Sequence, residues 1–354
     1  MRIAFDVSPL SHRRTGVGNY VLCAIRGLVE AGADVVAFAP VSSSGRRYVE
    51  AALGDLDVER RFRSVPLARL WRGGWSHLRW PPAERIVGRF DVLHFSDWMY
   101  PPQRSGVRAT TIHDLVPMRF PEWAHPRTVR LHRAKYRNAA RTADVFLCNS
   151  RFTAGEVQEL LGVDASRTHV AHPAPAPVFR AEGERADLGR PYVLTVATLE
   201  RRKNLETLLA AHERLANGLA LAVVGAAGWG PQPRLDRPGV IRLGYVDDEE
   251  LARLYRGAEA FAYPSRFEGF GIPLLEAMAC GTPAVASAHP SLDEAAGDAA
   301  LRADPESPEA WADALGEAQA RRAELVARGA VHVARFSTLA MGEAFLDAYA
   351  AARR

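Results

Sequence analysis

Two glutamates are the side chains of this chain best suited to binding a ligand rich in hydroxyl groups. Glu268 and Glu276 have seven residues between them, within the segment FAYPSRFEGFGIPLLEAMACG at residues 261–281. A carboxylate accepts two hydrogen bonds from a vicinal diol, and a nucleotide sugar carries such diols on both sides of its diphosphate. The alternative is that Glu268 is a solvated loop residue and that Glu276 only complements a helix dipole.

The residues between the two glutamates are typical of a loop that leads into a helix. An apolar run ending at Tyr263 predicts a buried strand, and Gly269, Phe270 and Gly271 then form a turn whose backbone can approach a ligand closely. Pro273 suits the first turn of a helix, which places Glu276 in that turn. Free N–H groups at a helix start favour an anion such as phosphate.

A run of basic residues follows the first predicted strand of the second half, Tyr192–Ala197. It reads Thr198-Leu199-Glu200-Arg201-Arg202-Lys203-Asn204. Cations at the carboxyl end of a strand can neutralise a diphosphate, arginine by a forked pair of hydrogen bonds and lysine as a point charge. Without the neighbouring motifs, this run would be read as a solvated loop.

The first half carries its own candidates at strand ends. Gly16 and Gly18 lie in RTGVG, between a strand at Arg2–Asp6 and a predicted helix, where open α/β sheets bind ligands. The third glycine of a dinucleotide fingerprint is missing, so no nicotinamide cofactor is predicted, and the glycines could simply ease the turn. His113 and Asp114 follow the strand that ends at Ile112, and the histidine could hydrogen-bond a sugar hydroxyl or serve only a structural purpose.

Taken together, these motifs resemble those of family GT4, retaining glycosyltransferases with the two-domain GT-B architecture. The resemblance covers nearly the whole chain and is closest to the mannosyltransferase-like branch of polysaccharide biosynthesis. It rests on the pair of glutamates and on the segments RTGVGNY, TIHDLVPMRFPEW, CNS, VATLERRKNLETLLAA and GYVDDEELARLYRGA, in that order.

The resemblance implies a role for each candidate in the second half. Glu276 would hold the ribose hydroxyls and Glu268 the sugar hydroxyls, while Arg202, Lys203 and the backbone of residues 269–271 would hold the diphosphate. Many family members have an arginine at the position of Thr198, so Arg202 is expected to supply that charge.

The resemblance also implies roles in the first half and a mechanism. Gly16 and Gly18 would border the diphosphate and the acceptor, His113 would touch the donor sugar near the transferred carbon, and Asp114 would orient that histidine. The family mechanism is front-face attack, in which the leaving phosphate takes the proton of the acceptor. No divalent metal or other cofactor is implied, and Asp55-Leu56-Asp57 is not read as a metal motif because it follows no strand.

Length and patterning predict the fold class. A chain of 354 residues exceeds what one hydrophobic core usually serves, and both halves alternate strand and helix. We expect an α/β protein of GT-B type, with two Rossmann-like, doubly wound parallel-sheet domains facing across a cleft. The acceptor-side domain is placed at residues 1–175, the nucleotide-sugar domain at 190–335 and a last helix that packs back on the first domain at about 339–354.

Composition bounds the partners and the location. The chain has a net charge of +4, three widely spaced cysteines read as free buried thiols, no run long enough to span a membrane and no signal peptide. No nucleic-acid-binding motif is recognised. Arginines and three tryptophans between residues 61 and 85 suit a membrane interface or a sugar-lined cleft, or form an ordinary amphipathic helix. The expected location is the cytoplasm, with peripheral contact at the inner face of the membrane; oligomeric state is left open.

The sequence therefore predicts a retaining glycosyltransferase that uses a GDP- or UDP-sugar, with GDP-mannose as the first choice. The acceptor would be a hydroxyl group of a saccharide, a lipid-linked saccharide or a small natural product. Two alternatives stay open at this point: a GT-B sugar-nucleotide epimerase or hydrolase, and a non-catalytic scaffold of the same fold.

Overall fold

A computed structural model describes residues 1–13, 15–96, 99–215 and 218–353. Arg14, in the first glycine motif, and Arg354, at the end of the chain, therefore lie outside the described residues. The chain forms two compact units. The first contains Met1–Met118, Arg127–Ala174 and Ser337–Arg354, and the second contains Arg119–Pro126 and Pro175–Phe336.

The strands and helices up to residue 174 are β1 (Arg2–Asp6), α1 (Gly16–Glu30), β2 (Asp34–Val41), α2 (Ser43–Leu53), β3 (Glu59–Ser64), α3 (Ala68–Leu78), α4 (Glu84–Val87), β4 (Val92–Phe95), β5 (Val107–Ile112), α5 (Val116–Arg119), α6 (Pro126–Thr142), β6 (Val145–Cys148), α7 (Arg151–Leu161) and β7 (Thr168–Val170). Those that follow are β8 (Tyr192–Val196), α8 (Leu205–Arg214), β9 (Ala220–Val224), β10 (Val240–Gly244), α9 (Asp248–Gly257), β11 (Ala260–Tyr263), α10 (Ile272–Ala279), β12 (Ala284–Ser287), α11 (Asp293–Ala296), β13 (Ala300–Ala303), α12 (Pro308–Ala320), α13 (Arg322–Val333) and α14 (Thr338–Ala351).

Each unit is built on one parallel sheet. The first sheet has the strand order β3-β2-β1-β4-β5-β6-β7, and the second has the order β10-β9-β8-β11-β12-β13. In both sheets the order reverses beside the first strand, as it does in doubly wound folds, and such folds bind ligands outside the carboxyl ends of the strands at that point. The α/β, doubly wound architecture predicted from the sequence is confirmed.

Both faces of the second sheet are buried, which explains its continuous apolar strands. Along β11, Ala260 and Ala262 pack in one cluster of buried residues, whereas Phe261 and Tyr263 pack in another on the opposite face. Successive side chains of a strand point to opposite faces, so a strand covered on both sides needs apolar residues at every position. This requirement is what made the strand recognisable from sequence.

Helix α14 belongs to the first unit, where it packs against α1. A Cβ atom added to Gly27 would overlap the carbonyl oxygen of Thr338, and one added to Gly342 would overlap the carbonyl of Gly27. The two helix backbones therefore approach as closely as only glycine permits. Farther along α14, the Tyr349 hydroxyl lies 2.8 Å from Nδ1 of the buried His94 in β4.

Three strands were not predicted from the sequence, because they lack a long apolar run. Strand β3 is Glu-Arg-Arg-Phe-Arg-Ser and forms an exposed edge of the first sheet, while β7 and β13 are only three and four residues long and also lie at sheet edges. An edge strand has one neighbour and tolerates charged residues, so burial leaves little trace in its sequence.

Two further expectations concern membrane spans and thiols. Within the described ranges, no helix is long and apolar enough to cross a membrane. Cys23, Cys148 and Cys280 are buried free thiols, as predicted.

Candidate active site

The centre of the candidate site is the carboxyl edge of the second sheet, where the loops after β8 and β11 meet. These strands are neighbours in the sheet, with Phe261 paired to Leu194. Residues 197–204 and 264–271 therefore leave the sheet side by side, although more than sixty positions separate them in the chain. The backbone N–H of Arg266 donates to the carbonyl of Arg202 at 2.8 Å and fixes the two loops to each other.

Glu268 is held between two of the predicted cationic residues. Its Oε1 accepts a hydrogen bond from Nζ of Lys203 at 2.6 Å, and its Oε2 accepts one from a terminal nitrogen of Arg202 at 2.7 Å. Lys203 also donates to the hydroxyl of Tyr263 at 3.1 Å, and Nε of Arg202 lies 3.1 Å from the carboxylate of Glu200. Glu268, Lys203 and Tyr263 are buried. The structure thus brings together three residues that the sequence placed in two separate motifs.

The electrostatics of this cluster keep Glu268 ionised. Burial alone would raise the pKa of its carboxyl group, but the charges of Arg202 and Lys203 outweigh burial and hold the pKa at about 2. Burial, followed by repulsion from Arg202, lowers the pKa of Lys203 from its usual value, against the opposing attraction of Glu268. Arg202, Lys203 and Glu268 together carry one net positive charge.

The cluster depends on an unusual backbone conformation immediately after Lys203. Arg201–Lys203 form one turn of 3-10 helix, and Asn204 then adopts a left-handed conformation with φ of 56° before α8 begins. The side chain of Asn204 donates to the carbonyl of Pro305 at 2.6 Å and accepts from the hydroxyl of Thr207 at 2.9 Å. Asparagine tolerates this conformation better than most residues, so Asn204 fixes the direction in which Lys203 leaves the sheet.

Glu276 occupies a different environment. Its Oε2 accepts a hydrogen bond from the buried hydroxyl of Tyr255 at 3.1 Å. Burial raises the pKa of this carboxyl group to about 8, because the hydrogen bond from Tyr255 offsets only part of the desolvation and the charge of Asp248 opposes ionisation. The helix begins at Ile272, so Glu276 is its fifth residue and lies in the second turn; the prediction of a first-turn position is wrong by one turn.

The loop before α10 packs closely against the protein itself. Gly271 has φ of 112°, and a Cβ atom there would lie 2.9 Å from Cδ2 of Leu292. The Phe270 ring is buried against Phe336 at a centroid distance of 5.7 Å. With its side chain in the core, Phe270 offers only its backbone to a ligand, together with Gly269 and Gly271.

Thr198 lies at the exposed mouth of this edge, beside a glycine loop whose importance the sequence did not reveal. A Cβ atom added to Gly228 would lie 2.9 Å from Cγ2 of Thr198 and 2.7 Å from the carbonyl oxygen of Leu199. A Cβ atom at Gly225 would overlap the carbonyl of Ala197. The run Gly225-Ala-Ala-Gly-Trp-Gly, directly after β9, was the signal that could have identified this contact.

In the first unit, His113 lies next to helix α1. Its ring contacts that of Tyr20 edge-on at a centroid distance of 4.8 Å, and its carbonyl oxygen accepts from the side chain of Asn149 at 2.8 Å. Burial, followed by the charge of Lys135, lowers the pKa of His113 to about 3. Its Nε2 is buried and finds no hydrogen-bond partner among the described residues. His113 is therefore a neutral imidazole with an unused polar atom.

The neighbours of His113 include a carboxylate that caps a turn, where an orienter of the histidine was expected, and a buried lysine. Oδ1 of Asp114 accepts from the backbone N–H of Val116 at 3.1 Å, so this side chain caps the turn of α5. Lys135, on α6, is buried and donates from Nζ to the carbonyl of Thr111 at 2.9 Å. Sequence reasoning missed this lysine because it lies in a helix rich in exposed arginines.

The first glycine motif forms the start of α1 itself. Gly16 is the first residue of the helix and Gly18 the third. They therefore lie within its first turn, whereas the sequence placed them in the loop before the helix. A Cβ atom at Gly16 would contact nothing within 4 Å. Among the described residues, packing therefore gives no reason for glycine at position 16.

The comparisons with known proteins agree with this architecture. Residues 14–177 match the profile described as "Glycosyltransferase Family 4", and residues 190–320 match "Glycosyl transferases group 1". The O-antigen chain mannosyltransferase B of Escherichia coli is 30% identical over 345 residues, which cover 86% of this chain and 87% of that protein. The chain belongs to glycosyltransferase family 4. It is a glycosyltransferase enzyme of GT-B fold.

Other relatives extend the comparison. A D-inositol 3-phosphate glycosyltransferase of Xylanimonas cellulosilytica is 27% identical and covers 99% of this chain and 96% of that protein. Among solved structures, the sucrose-phosphate synthase of Thermosynechococcus elongatus superposes with a TM-score of 0.71 at 20% identity, covering 99% and 98% of the two chains. Anabaena HepE in complex with UDP-glucose gives 0.70 at 16% identity, covering 98% of each. These structural likenesses show the fold alone.

Proposed function

We propose that this glycosyltransferase moves a sugar, with retention of anomeric configuration, from a nucleoside diphosphate sugar to a hydroxyl acceptor. The donor we favour is GDP-mannose, since the E. coli relative is a mannosyltransferase of O-antigen chains. The UDP and UDP-glucose complexes of Anabaena HepE make a UDP-sugar the second choice. The acceptor is a saccharide, a lipid-linked saccharide or a small natural product, and the reaction needs no divalent metal.

The observation that carries the proposal is the cluster of Glu268 with Arg202 and Lys203. As the anomeric bond breaks, negative charge grows on the diphosphate, and cations held in place beforehand stabilise that charge. Glu268 keeps both cations in a fixed geometry through bonds of 2.6 and 2.7 Å. A buried lysine without such a partner would lose its proton more easily, so the carboxylate also preserves the charge that the diphosphate needs.

The two glutamates bind hydroxyl groups in this proposal. Each carboxylate oxygen can accept two hydrogen bonds, so the oxygens of Glu268 retain acceptor sites for sugar hydroxyls beside their bonds to Arg202 and Lys203. Glu276 binds the ribose hydroxyls. Its raised pKa keeps a proton on the free carboxyl group, and donor binding favours loss of that proton because hydroxyl groups donate hydrogen bonds to the carboxylate. The N–H groups of residues 269–271 and the start of α10 complete the diphosphate site.

Gly16, Gly18 and His113 of the first unit have the roles that the family resemblance implies. Gly16 and Gly18 let a ligand approach the start of α1. His113 is neutral, so it hydrogen-bonds the donor sugar through Nε2 and does not act as a cation. Asp114 acts only indirectly, by holding the turn after His113. The proton of the acceptor passes to the leaving diphosphate.

The test is a thermal-shift panel of GDP-, UDP- and dTDP-sugars on the wild type and on Glu276→Ala. A ligand that binds only the folded state raises its melting temperature. We expect one donor class to stabilise the wild type and to give a much smaller shift in the variant. Absence of a shift with every donor, in protein shown to be folded, contradicts the proposal. A donor that is consumed to give free sugar or an epimer when no acceptor is present would indicate a hydrolase or an epimerase.

We also propose that the enzyme works at the inner face of a membrane, where a lipid-linked acceptor would lie. The support for this is the basic, tryptophan-containing stretch of the first unit.

A further inference from the structure

Helix α3 of the first unit has two apolar faces, of which only one is packed. Trp75 is buried against Phe38 of β2, at a ring-centroid distance of 6.4 Å, and fixes the inner face. Leu67, immediately before the helix, and Leu70 and Leu78 within it are 74%, 64% and 79% exposed. A helix on a soluble surface normally presents polar residues on its outer side.

The exposed leucines form one continuous stripe. Leu70 and Leu78 are eight positions apart, which places them on the same side of a helix with 3.6 residues per turn, and Leu67 lies immediately before the first turn. Gly74 lies on that side between them, and a Cβ atom there would contact nothing within 4 Å. Trp80, two residues after the helix, is 65% exposed. The stripe therefore runs the full length of α3.

The backbone at both ends of α3 is in a costly conformation. Leu67 and Arg79 have φ of 48° and 55°, and with Asn204 they are the non-glycine residues with positive φ in the described chain. A bulky residue in the left-handed region costs about 1 kcal/mol or more. The strain at Leu67 presents an apolar side chain to water, which folding alone gives no reason to do.

The segment that contains the stripe carries an excess of positive charge. Residues 60–89 contain eight arginines and a single acidic residue, which gives a formal charge of +7, whereas the whole chain has +4. The remainder of the chain is therefore net negative, at −3. Arg60, Arg61 and Arg63 on the edge strand β3 are exposed, as is Arg79 after the helix. Positive charge beside exposed leucines and tryptophan suits an anionic lipid surface.

A polar cavity of about 260 Å³ adjoins the carboxyl end of α3. Its lining includes Ser76 and Arg79 of this segment, and also Arg104, Arg108 and the carboxylate of Asp144. Burial, followed by the charge of Arg79, lowers the pKa of Arg108 to about 10, in keeping with a local excess of positive charge. The guanidinium of Arg108 donates to protein acceptors, so Arg79 and Arg104 are the arginines that suit a phosphate group at the level of lipid headgroups.

We infer that the outer face of α3 docks the protein on an anionic membrane surface. Leu67, Leu70, Leu78 and Trp80 enter the interface, the surrounding arginines contact lipid phosphates, and the cavity beside Arg79 takes one headgroup phosphate. Pairing with a second copy through this face is disfavoured, because each copy would bring a segment of charge +7. Docking does not depend on the proposed donor or acceptor.

The first arm of the test measures sedimentation of the full chain with vesicles of phosphatidylcholine, with and without phosphatidylglycerol. The wild type is expected to bind the anionic vesicles and to be released by salt. Leu70→Ser with Leu78→Ser should weaken binding by about tenfold for each leucine removed from the interface. The matched control is Val331→Ser with Leu339→Ser, which removes exposed apolar side chains elsewhere and should bind like the wild type.

The second arm tests the arginines. Arg79→Gln with Arg104→Gln should weaken binding to anionic vesicles by about fivefold for each charge. Arg46→Gln with Arg47→Gln, on the exposed surface of α2, removes the same charge and should have little effect. Circular dichroism and melting temperature establish that each variant is folded.

Several results overturn the inference. In the first, the wild type does not bind anionic vesicles. In the second, it binds neutral and anionic vesicles equally, and in the third, the leucine variants bind as well as the matched control variants. Concentration-dependent self-association that the leucine variants abolish, without vesicle binding, would assign the face to a second copy. The assay contains neither donor nor acceptor, so failure here is distinguishable from failure of the proposed reaction.

Discussion

The raised pKa of Glu276 predicts how the free energy of unfolding changes with pH. In the folded state its carboxyl group has a pKa of about 8, against an ordinary value of 4.5. Because the folded pKa is the higher one, the folded state keeps a proton that the unfolded state has already lost. The stabilisation is fully present below pH 4.5 and disappears as the pH rises through 8.

The magnitude follows from the two pKa values. One pKa unit corresponds to 1.36 kcal/mol, so the full effect is about 5 kcal/mol, and roughly 1.5 kcal/mol of it is lost between pH 6.5 and pH 8. Two other groups with shifted pKa values titrate in other pH ranges. Glu268, with a lowered pKa of about 2, affects stability only at acid pH, and His113, with a lowered pKa of about 3, affects it below about pH 6.5.

The assay is urea-induced unfolding of the wild type and of Glu276→Gln at pH 6.5, 7.25 and 8. Glutamine keeps the shape and cannot ionise, so the difference in unfolding free energy between the two proteins isolates Glu276. We expect the wild type to lose roughly 1.5 kcal/mol relative to the variant across this range. Tyr255→Phe removes the hydrogen bond that favours the carboxylate and should move the window to higher pH. Parallel curves for the wild type and Glu276→Gln would refute the assigned environment.

Three further predictions concern backbone and charge. Gly27→Ala forces α1 away from Thr338 of α14 and should lower the free energy of unfolding by about 2 kcal/mol or more. Gly16→Ala should melt like the wild type but bind donor more weakly. Equal stability of the two variants would contradict the packing argument. Asn204→Ala should cost about 1–3 kcal/mol in chemical unfolding, and Asn204→Gly less, because glycine accepts the positive φ; the reverse order would be inconsistent with backbone strain. Glu268→Gln leaves the buried ammonium group of Lys203 without its carboxylate partner and should cost about 3 kcal/mol, so an unchanged unfolding midpoint would argue against the ion cluster.

The interior of the fold could be predicted from the sequence because buried parallel strands need apolar residues at every position. The end of strand β11 at Tyr263 was located to the residue, and α14 was located to within one residue at its start and three at its end. Strand β3 could not be predicted this way, because an exposed edge strand tolerates arginines and these give no apolar pattern. A strand can be predicted from the sequence when its side chains are buried, and the side chains of an edge strand are the least buried.

The candidate site could be predicted in part. Arg202, Lys203 and Glu268 were selected for their chemistry, and adjacent parallel strands bring them together. The sequence presented Glu268 and Glu276 as similar carboxylates, whereas their surroundings separate their pKa values to about 2 and about 8. That difference arises because Arg202 and Lys203 outweigh burial at Glu268, whereas no cation among the described residues opposes burial at Glu276, and these surroundings leave no mark in the sequence next to each glutamate.

The most direct test of the donor site is calorimetric titration of the nucleoside diphosphate sugar that gives the largest thermal shift. The titration compares the wild type with Lys203→Ala and with Arg201→Ala, an exposed neighbour that lies outside the cluster with Glu268. Loss of a buried cation that contacts the diphosphate should weaken binding by at least about tenfold. We expect that loss in Lys203→Ala and near wild-type affinity in Arg201→Ala. Equal affinities in the two variants, both folded, would contradict the assignment of the donor diphosphate to this edge of the second sheet.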